Sequence, residues 1–585
     1  MRKFVLSSLA ALMLTATACQ PADPNAFETH LPKLVEPDSR AEGMDGISRL
    51  VKVIATSDNQ ERKKEFGEKV IPKFLEMWDE AKEHRPAMLE MMRDVGVTTP
   101  EAEQIWSKAV VLDGTTEARA GALVALQGVR DANATGVAEA IRTAFDGLID
   151  NPANDTGENT GEIRLEYAKT LGELRDAGSV DVLLKSLEQT ADNQPVAVHK
   201  QAVEALALIG ASDQKVIDAL LTVQFRVPDS PGTQSIGERA ARALAAIGEP
   251  AVPRVIQMLK GEIEAVTSLA AQNGVELLVT HQLAVKILGA IGSKAATADL
   301  VAFMPAEDCA EGAKPPASAD DMDAAKVGLR AVVARSLGEI ADPAASAALC
   351  GCRNATHNAG DLWEITMALG RIGGSEAFTC LTDIVANNEY NPADLVNSDF
   401  RYEIRWEGAR WLILAAEHSD AAKIREVING QEDPKVKENI TKWEDGIKVL
   451  EECKDDKACY ENKLTDPGGK WFAREVAAVQ LARRSQGDAK AALDIANAFK
   501  VRDAGARVTM ALLSAQVMDG KPCVECADAL ERVMESESGS AKAEMQAAWL
   551  TGRQSMAKLR SGAPASAPAA AAPAEKPAEE PAKEG

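Results

Sequence analysis

The sequence predicts an all-helical chain, an α-solenoid (superhelix) of stacked helix pairs with unstructured termini. Three observations carry this. A two-helix segment recurs along the chain, strand-like alternation of apolar and polar residues is scarce, and the apolar content is mostly small or aliphatic. Of 585 residues, 46% are hydrophobic but only 4% aromatic. Ala-rich helices pack closely, whereas a large β-sandwich core calls for β-branched and aromatic residues.

The repeat is clearest in YAKTLGELRDAGSVDVLLKSL from Tyr167, AVEALALIGASDQKVIDALL from Ala202 and AARALAAIGEPAVPRVIQML from Ala240. It continues in AVKILGAIGSKAATADLVAFM from Ala284, VVARSLGEIADPAASAAL from Val332 and ITMALGRIGGSEAFTCLTDI from Ile365. Each copy is an amphipathic helix closed by an apolar anchor, a short turn with glycine or another small residue, and a second apolar helix. The anchors are Val95, Val129, Leu174, Ile209, Ile247, Ile291, Ile340 and Ile372, spaced by about 40 residues, the period of helix-pair repeats. Glycine after the anchor suits the left-handed residue that ends a helix. Pro250 and Pro343 sit where a second helix can begin without losing a bond. Leu329, Val333, Leu337 and Ile340 form one apolar stripe, which a lone pair cannot bury but a stack can.

This pattern resembles HEAT repeats, particularly the short bacterial bilin-lyase-like kind, over roughly residues 85–430. The resemblance implies a superhelix that presents a long face to protein partners. Its relatives attach or isomerise chromophores, which makes lyase-like chemistry an alternative.

The organisation divides into five parts. Residues 1–18 read as a signal peptide: Arg2 and Lys3, then an apolar stretch too short to span a bilayer. Ala16-Thr17-Ala18-Cys19 resembles the lipobox of bacterial lipoproteins, which implies cleavage before Cys19 and palmitate-type acylation there. Gln20 follows, and by the same resemblance the expected address is the outer membrane, facing periplasm or cell surface. Residues 19–46 are expected to be a tether, 47–430 the HEAT-repeat array and 431–561 further helical repeats with local disulfides. Residues 562–585, almost all Ala, Pro, Glu and Lys, are expected to form an extended, flexible tail.

Export sets the reading of the remaining cysteines, where an even number points to disulfides. They are Cys309, Cys350, Cys352, Cys380, Cys453, Cys459, Cys523 and Cys526. Cys453 and Cys459 flank a short charged turn and should bridge locally. Cys523 and Cys526 form CVEC at a helix start, either a structural bridge or, alternatively, a thiol-redox pair. Cys309–Cys350 with Cys352–Cys380 is the preferred pairing of the other four, and the reverse assignment of Cys350 and Cys352 stays open.

The composition excludes some classes and leaves others. A net charge of −24 removes the basic footprint of nucleic-acid binding and favours a basic partner. The sequence lacks zinc-protease, nucleophile-elbow, P-loop and dinucleotide-binding fingerprints, so no enzyme activity, cofactor or metal is expected. The histidines are scattered, with His199 expected at a helix start as a cap or exposed. One segment departs from the acidic background: FRYEIRWEGARW, from Phe400, concentrates aromatics and arginines. Tyr402, Trp406 and Ala409 lie at core spacing, and Arg405, Arg410 and Trp411 are the candidate partner contacts, since Trp and Arg dominate binding hot spots. The expected function is a membrane-anchored protein-interaction scaffold, or a passive envelope spacer.

Overall fold

A computed structural model describes residues 23–57, 59–155, 161–226, 235–306, 309, 324–353, 359–386, 400–537 and 545–561. The signal peptide, Cys19 and the tail beyond residue 561 lie outside the described residues. So do residues 310–323. Among the described residues every regular element is a helix. The chain divides into two compact units, residues 1–205 and 206–585.

In the first unit the helices of the N-terminal segment are the main departure from expectation. Residues 27–46, expected to be tether, form α1 (Phe27–Val35) and the start of α2 (Arg40–Ser57). The reason is burial: Phe27, Leu34 and Ile47 are fully enclosed, and the Phe27 and Phe66 rings sit 6.0 Å apart. Arg40 Nε donates to the Leu34 carbonyl, closing the turn between the two helices. The first helices of successive pairs then stack in order: α2, α3 (Arg85–Val95), α4 (Thr116–Asp131) and α5 (Glu162–Glu173). Gly128 on α4 lets the Trp106 ring approach so closely that a Cβ would lie 2.7 Å from it.

The second unit is also built of helix pairs, but its first helices run in a closed circuit. They are α6 (Ile236–Ile247), α7 (Leu277–Ile291), α8 (Ala324–Ile340), α9 (Ala359–Ile372), α10 (Phe400–Ala415), α11 (Trp471–Arg483), α12 (Ala504–Met518) and α13 (Gln546–Ser561). Each packs on the next, and α13 packs back on α6, so the row closes into a ring. Outer helices such as Ser346–Cys352, Gly374–Ala386 and Val524–Ser536 cover the buried stripes. The predicted stripe of α8 is real: Val333 and Leu337 are fully buried, and Leu329 and Ile340 nearly so.

The anchors mark helix ends as the repeat requires. Val95, Val129, Leu174, Ile247, Ile291, Ile340 and Ile372 are buried, while Ile209 is half-buried. In seven of the eight repeats the residue that follows takes a positive φ, with glycine at 66° for Gly96, 75° for Gly292 and 68° for Gly373; after Val129 the helix runs on to Asp131 and Asn133 makes the turn at 49°. Arg175 and Ala341 take the same turn at φ 52° and 56° without glycine.

Two glycines inside the ring helices set the helix spacing. A Cβ on Gly338 would lie 2.8 Å from Cα of Ala368, and one on Gly370 would lie 2.6 Å from the Trp411 ring. Gly338→Ala presses on backbone, which cannot swing aside, and should cost about 1–3 kcal/mol by forcing α8 and α9 apart. Urea denaturation of the purified protein measures it; an unchanged midpoint would mean the two helices are not in this contact.

Candidate functional site

Disulfides fasten the outer helices. The structure closes all four: Cys309–Cys352, Cys350–Cys380, Cys453–Cys459 and Cys523–Cys526. The Cys309–Cys350 and Cys352–Cys380 pairing is therefore reversed. Cys350 and Cys352 are two residues apart on one helix, so their side chains diverge. Cys350 meets the helix carrying Cys380, leaving Cys352 for the preceding loop. In the CVEC motif, Cys523 is 6% exposed and Cys526 is fully buried. A redox partner would need to reach a sulfur that the fold encloses.

Arg405, Arg410 and Trp411 do not form a surface contact. They are 3%, 7% and 3% exposed. Arg410 is drawn inward by Glu475 of α11, whose carboxylate accepts from Nη2 at 2.8 Å (Oε2) and 2.9 Å (Oε1) and from Nε at 3.2 Å (Oε2). Asp503 lies 3.3 Å from the same Nη2, and the guanidinium stands 5.1 Å from the Trp411 ring and 5.0 Å from the Trp471 ring. Thr509 of α12 also donates to Glu475. Arg410 thus ties α10, α11 and α12 together from inside. Next to it, Trp443 and Trp471 meet edge to face at 5.8 Å, beside a cleft of about 270 Å³ lined also by Lys442, Asp445, Lys470 and Phe472. His199 is another inward residue: it is fully buried, with its ring nitrogens bonded to the Pro195 and Gln189 carbonyls, rather than capping or exposed.

The charged cluster with the most chemistry was not singled out in sequence. It lies at the C-terminal ends of α7, α8, α9 and α13. Glu339 and Arg371 occupy the same place in successive repeats, the residue just before the anchors Ile340 and Ile372. Arg335 Nε pairs with Glu364 Oε1 at 3.1 Å. Gln516 of α12 donates to the Glu339 carbonyl at 2.9 Å. Lys558 of α13 reaches the end of α7, where its Nζ would lie 3.2 Å from a Cβ on Gly292. Gly289, one turn earlier, makes room for the Glu339 carboxylate and Ser336. Position-specific charge one residue before a repeat anchor is the signal that would have found this cluster.

Enclosure shifts these groups. Burial raises the Glu339 carboxyl, with Arg371, Arg335 and Lys558 opposing it. Burial lowers the Arg371 guanidinium, against the pull of Glu339 and Glu364. Burial lowers Lys558 to about 8, with Glu339 opposing. Glu339, Arg371 and Lys558 are half-buried. Among the described residues, no group of three or more His, Cys, Asp or Glu side chains is placed to hold a metal ion, and no helix is long and apolar enough to cross a membrane.

No protein-family model matches the chain, and no curated protein matches it in sequence. Solved structures with related helical arrangements include an engineered protein at 16% identity, covering 72% of this chain and 98% of that one with a TM-score of 0.30. Human deoxyhypusine hydroxylase is 20% identical over 53% of this chain and 96% of its own, with a TM-score of 0.18. The karyopherin Kap121p is 12% identical over 91% of this chain and 67% of its own, with a TM-score of 0.23. The helical-repeat fold itself is read directly from the helix pairs.

Two outcomes test the site. Glu475→Ala strands a buried guanidinium and should cost about 3–5 kcal/mol, measured by urea denaturation. Lys558 gives a signed pH effect. Its folded value of about 8 lies below the ordinary 10.5, so between these the unfolded chain binds more protons and stability rises with pH. Lys558→Met should therefore be more stable than the native chain at pH ~7, with the gap narrowing by pH ~10. A gap independent of pH would contradict the enclosure.

Proposed function

We propose that this chain is an exported, membrane-anchored scaffold of the short bacterial HEAT kind, binding protein partners without catalysis. The observation that carries the reading is the combination of a helical-repeat fold with four closed disulfides. Eight paired cysteines favour an oxidising compartment, which agrees with the signal peptide and lipobox-like stretch ahead of Cys19. Helical repeats bind through extended faces, and binding of that kind needs no catalytic constellation.

In this reading Cys19 carries the lipid and holds the folded units at the membrane, in the outer membrane by the residue that follows it. Several acyl chains give stable anchorage, which a single chain does not. With 89 acidic against 65 basic residues, the chain as a whole favours a basic partner, and its attraction weakens as salt rises.

Metabolic labelling with a palmitate analogue, followed by membrane fractionation, tests the anchor. Native protein should label and sediment with membranes, and Cys19→Ala should lose the label and become soluble. Crosslinking in intact cells, followed by capture, should bring down one stoichiometric basic partner. An unlabelled native chain would overturn the anchor, and capture without any partner would overturn the scaffold.

A further inference from the structure

The second unit carries a cleft walled by three aromatic rings. Trp443 and Trp471 meet at 80°, Trp443 and Phe472 at 59°, and Trp471 and Phe472 at 71°, with ring centroids 5.8, 4.9 and 5.8 Å apart. No two of them lie flat on each other, so the three make a concave corner. Its space of about 270 Å³ takes a proline ring and the methyl of a neighbouring alanine. Trp443 and Phe472 are nearly buried, whereas Trp471, the first residue of α11, is half-buried and leaves part of its ring to an occupant. From the inner side the Arg410 guanidinium already stands 5.0 Å from the Trp471 ring and 5.9 Å from the Trp443 ring. A second cation in the cleft would be repelled by the first, so the corner does not suit a cationic ligand.

The lip of the cleft is positive. Lys442 and Lys470 are exposed there, while Asp445 is half-buried and bound to Lys470 Nζ at 2.5 Å. Lys442 forms no ion pair among the described residues, and Glu407 feels only its field. The matching occupant is compact and apolar at its centre and carries carboxylates beside it. Proline suits such a corner. Its ring packs on aromatic faces, it has no backbone N–H to strand, and its fixed φ leaves little entropy to lose on seating.

The sequence itself holds a segment of this kind. Pro573, Pro577 and Pro581 alternate with Glu575, Glu579 and Glu580 in the stretch that follows α13, with Lys576 as the one cation among them. The segment reaches. Sixteen residues lead from Ser561, the end of α13, to Pro577, about 50 Å at ~3.1 Å per residue. In the ring α11 lies two helices from α13, about 20 Å at ~10 Å per helix, and is itself about 20 Å long. Attachment also makes the encounter intramolecular, which raises the effective concentration of the segment at the cleft.

We propose that the segment Pro573–Pro581 of this chain docks in the cleft, with a proline ring against Trp443 and Trp471 and its glutamates on Lys442 and Lys470. The chain then shields its own aromatic surface. This docking needs neither the anchor nor a protein partner.

Carbodiimide joins a carboxylate to an amine only where the two touch. Crosslinking the intact protein at low concentration and low salt, then mapping the peptides of the monomer, therefore tests the docking. Lys442 or Lys470 should be joined to Glu575, Glu579 or Glu580 about tenfold more often than Lys521 is. Lys521 is exposed and lies beside the end of α13, where Cys523 N donates to the Leu559 carbonyl, so a segment without a seat meets it first. Replacing the three prolines together (Pro573→Gly, Pro577→Gly, Pro581→Gly) keeps every acid and should remove the excess. Trp471→Ala should remove it too, with the Lys521 links unchanged. Links at Lys442 and Lys470 no more frequent than at Lys521 overturn the proposal. So does an excess that survives the proline replacements, since charge attraction alone would then account for it, and so do links found only between two copies. The proline replacements decide if Trp471→Ala fails to fold.

Discussion

The second unit depends on one packing event, the seating of α13 against α6. A row of helix pairs has two ends, and each end exposes an apolar side that must be capped or covered. Here the last ring helix covers the first. The closure also brings together helix ends that lie far apart in the chain. Lys558 sits over the end of α7 only because α13 closes the ring, and Gln516 reaches the end of α8 for the same reason.

The ring helices are tied at two places by different chemistry. Near Arg410 the groups are matched, with a bidentate carboxylate, a second acid and stacked tryptophans around one guanidinium. Such a node fixes the angle between α10 and α11, since moving either helix strands a buried charge. At the ends of α10 and α11 the pinning is to backbone. Gln480 and Arg483 donate to the Ala416 carbonyl, and Arg483 also donates to that of Leu414. Those bonds satisfy helix-end carbonyls that have no partner within the helix. Around Glu339 and Arg371 the opposed charges form no ion pair with each other among the described residues, and the Arg371 guanidinium stands 5.7 Å from the Trp411 ring.

Much of the fold was legible because it is local. An anchor, a left-handed residue and a second apolar helix lie close together in the chain, so Ile291 with Gly292, or Ile372 with Gly373, announce a helix end without tertiary information. Arg175 and Ala341 make the same turn without glycine, and there the flanking apolar helices carried the repeat. What was not legible is long-range. Arg410 and Trp411 read as hot-spot residues because Glu475 and Asp503, which draw Arg410 inward, lie 65 and 93 positions away. Ring closure joins helices about 300 residues apart, and no local pattern encodes it. The helices over residues 27–46 were hidden by prolines and acids, although Phe27 and Leu34 supply the burial that orders them. Of the cluster around Glu339, each member was visible as a repeat position, but only the ring shows that they face one another.

Hydrogen exchange along the second unit tests the closed ring most directly. In an open row the final helix has one neighbour and frays, so its amides exchange far faster than those of the central helices. A closed ring gives α13 neighbours on both sides. Amides of α13 and α6 should therefore exchange as slowly as those of α8 and α9. Rapid exchange confined to α13, with α8 and α9 protected, would contradict the closure.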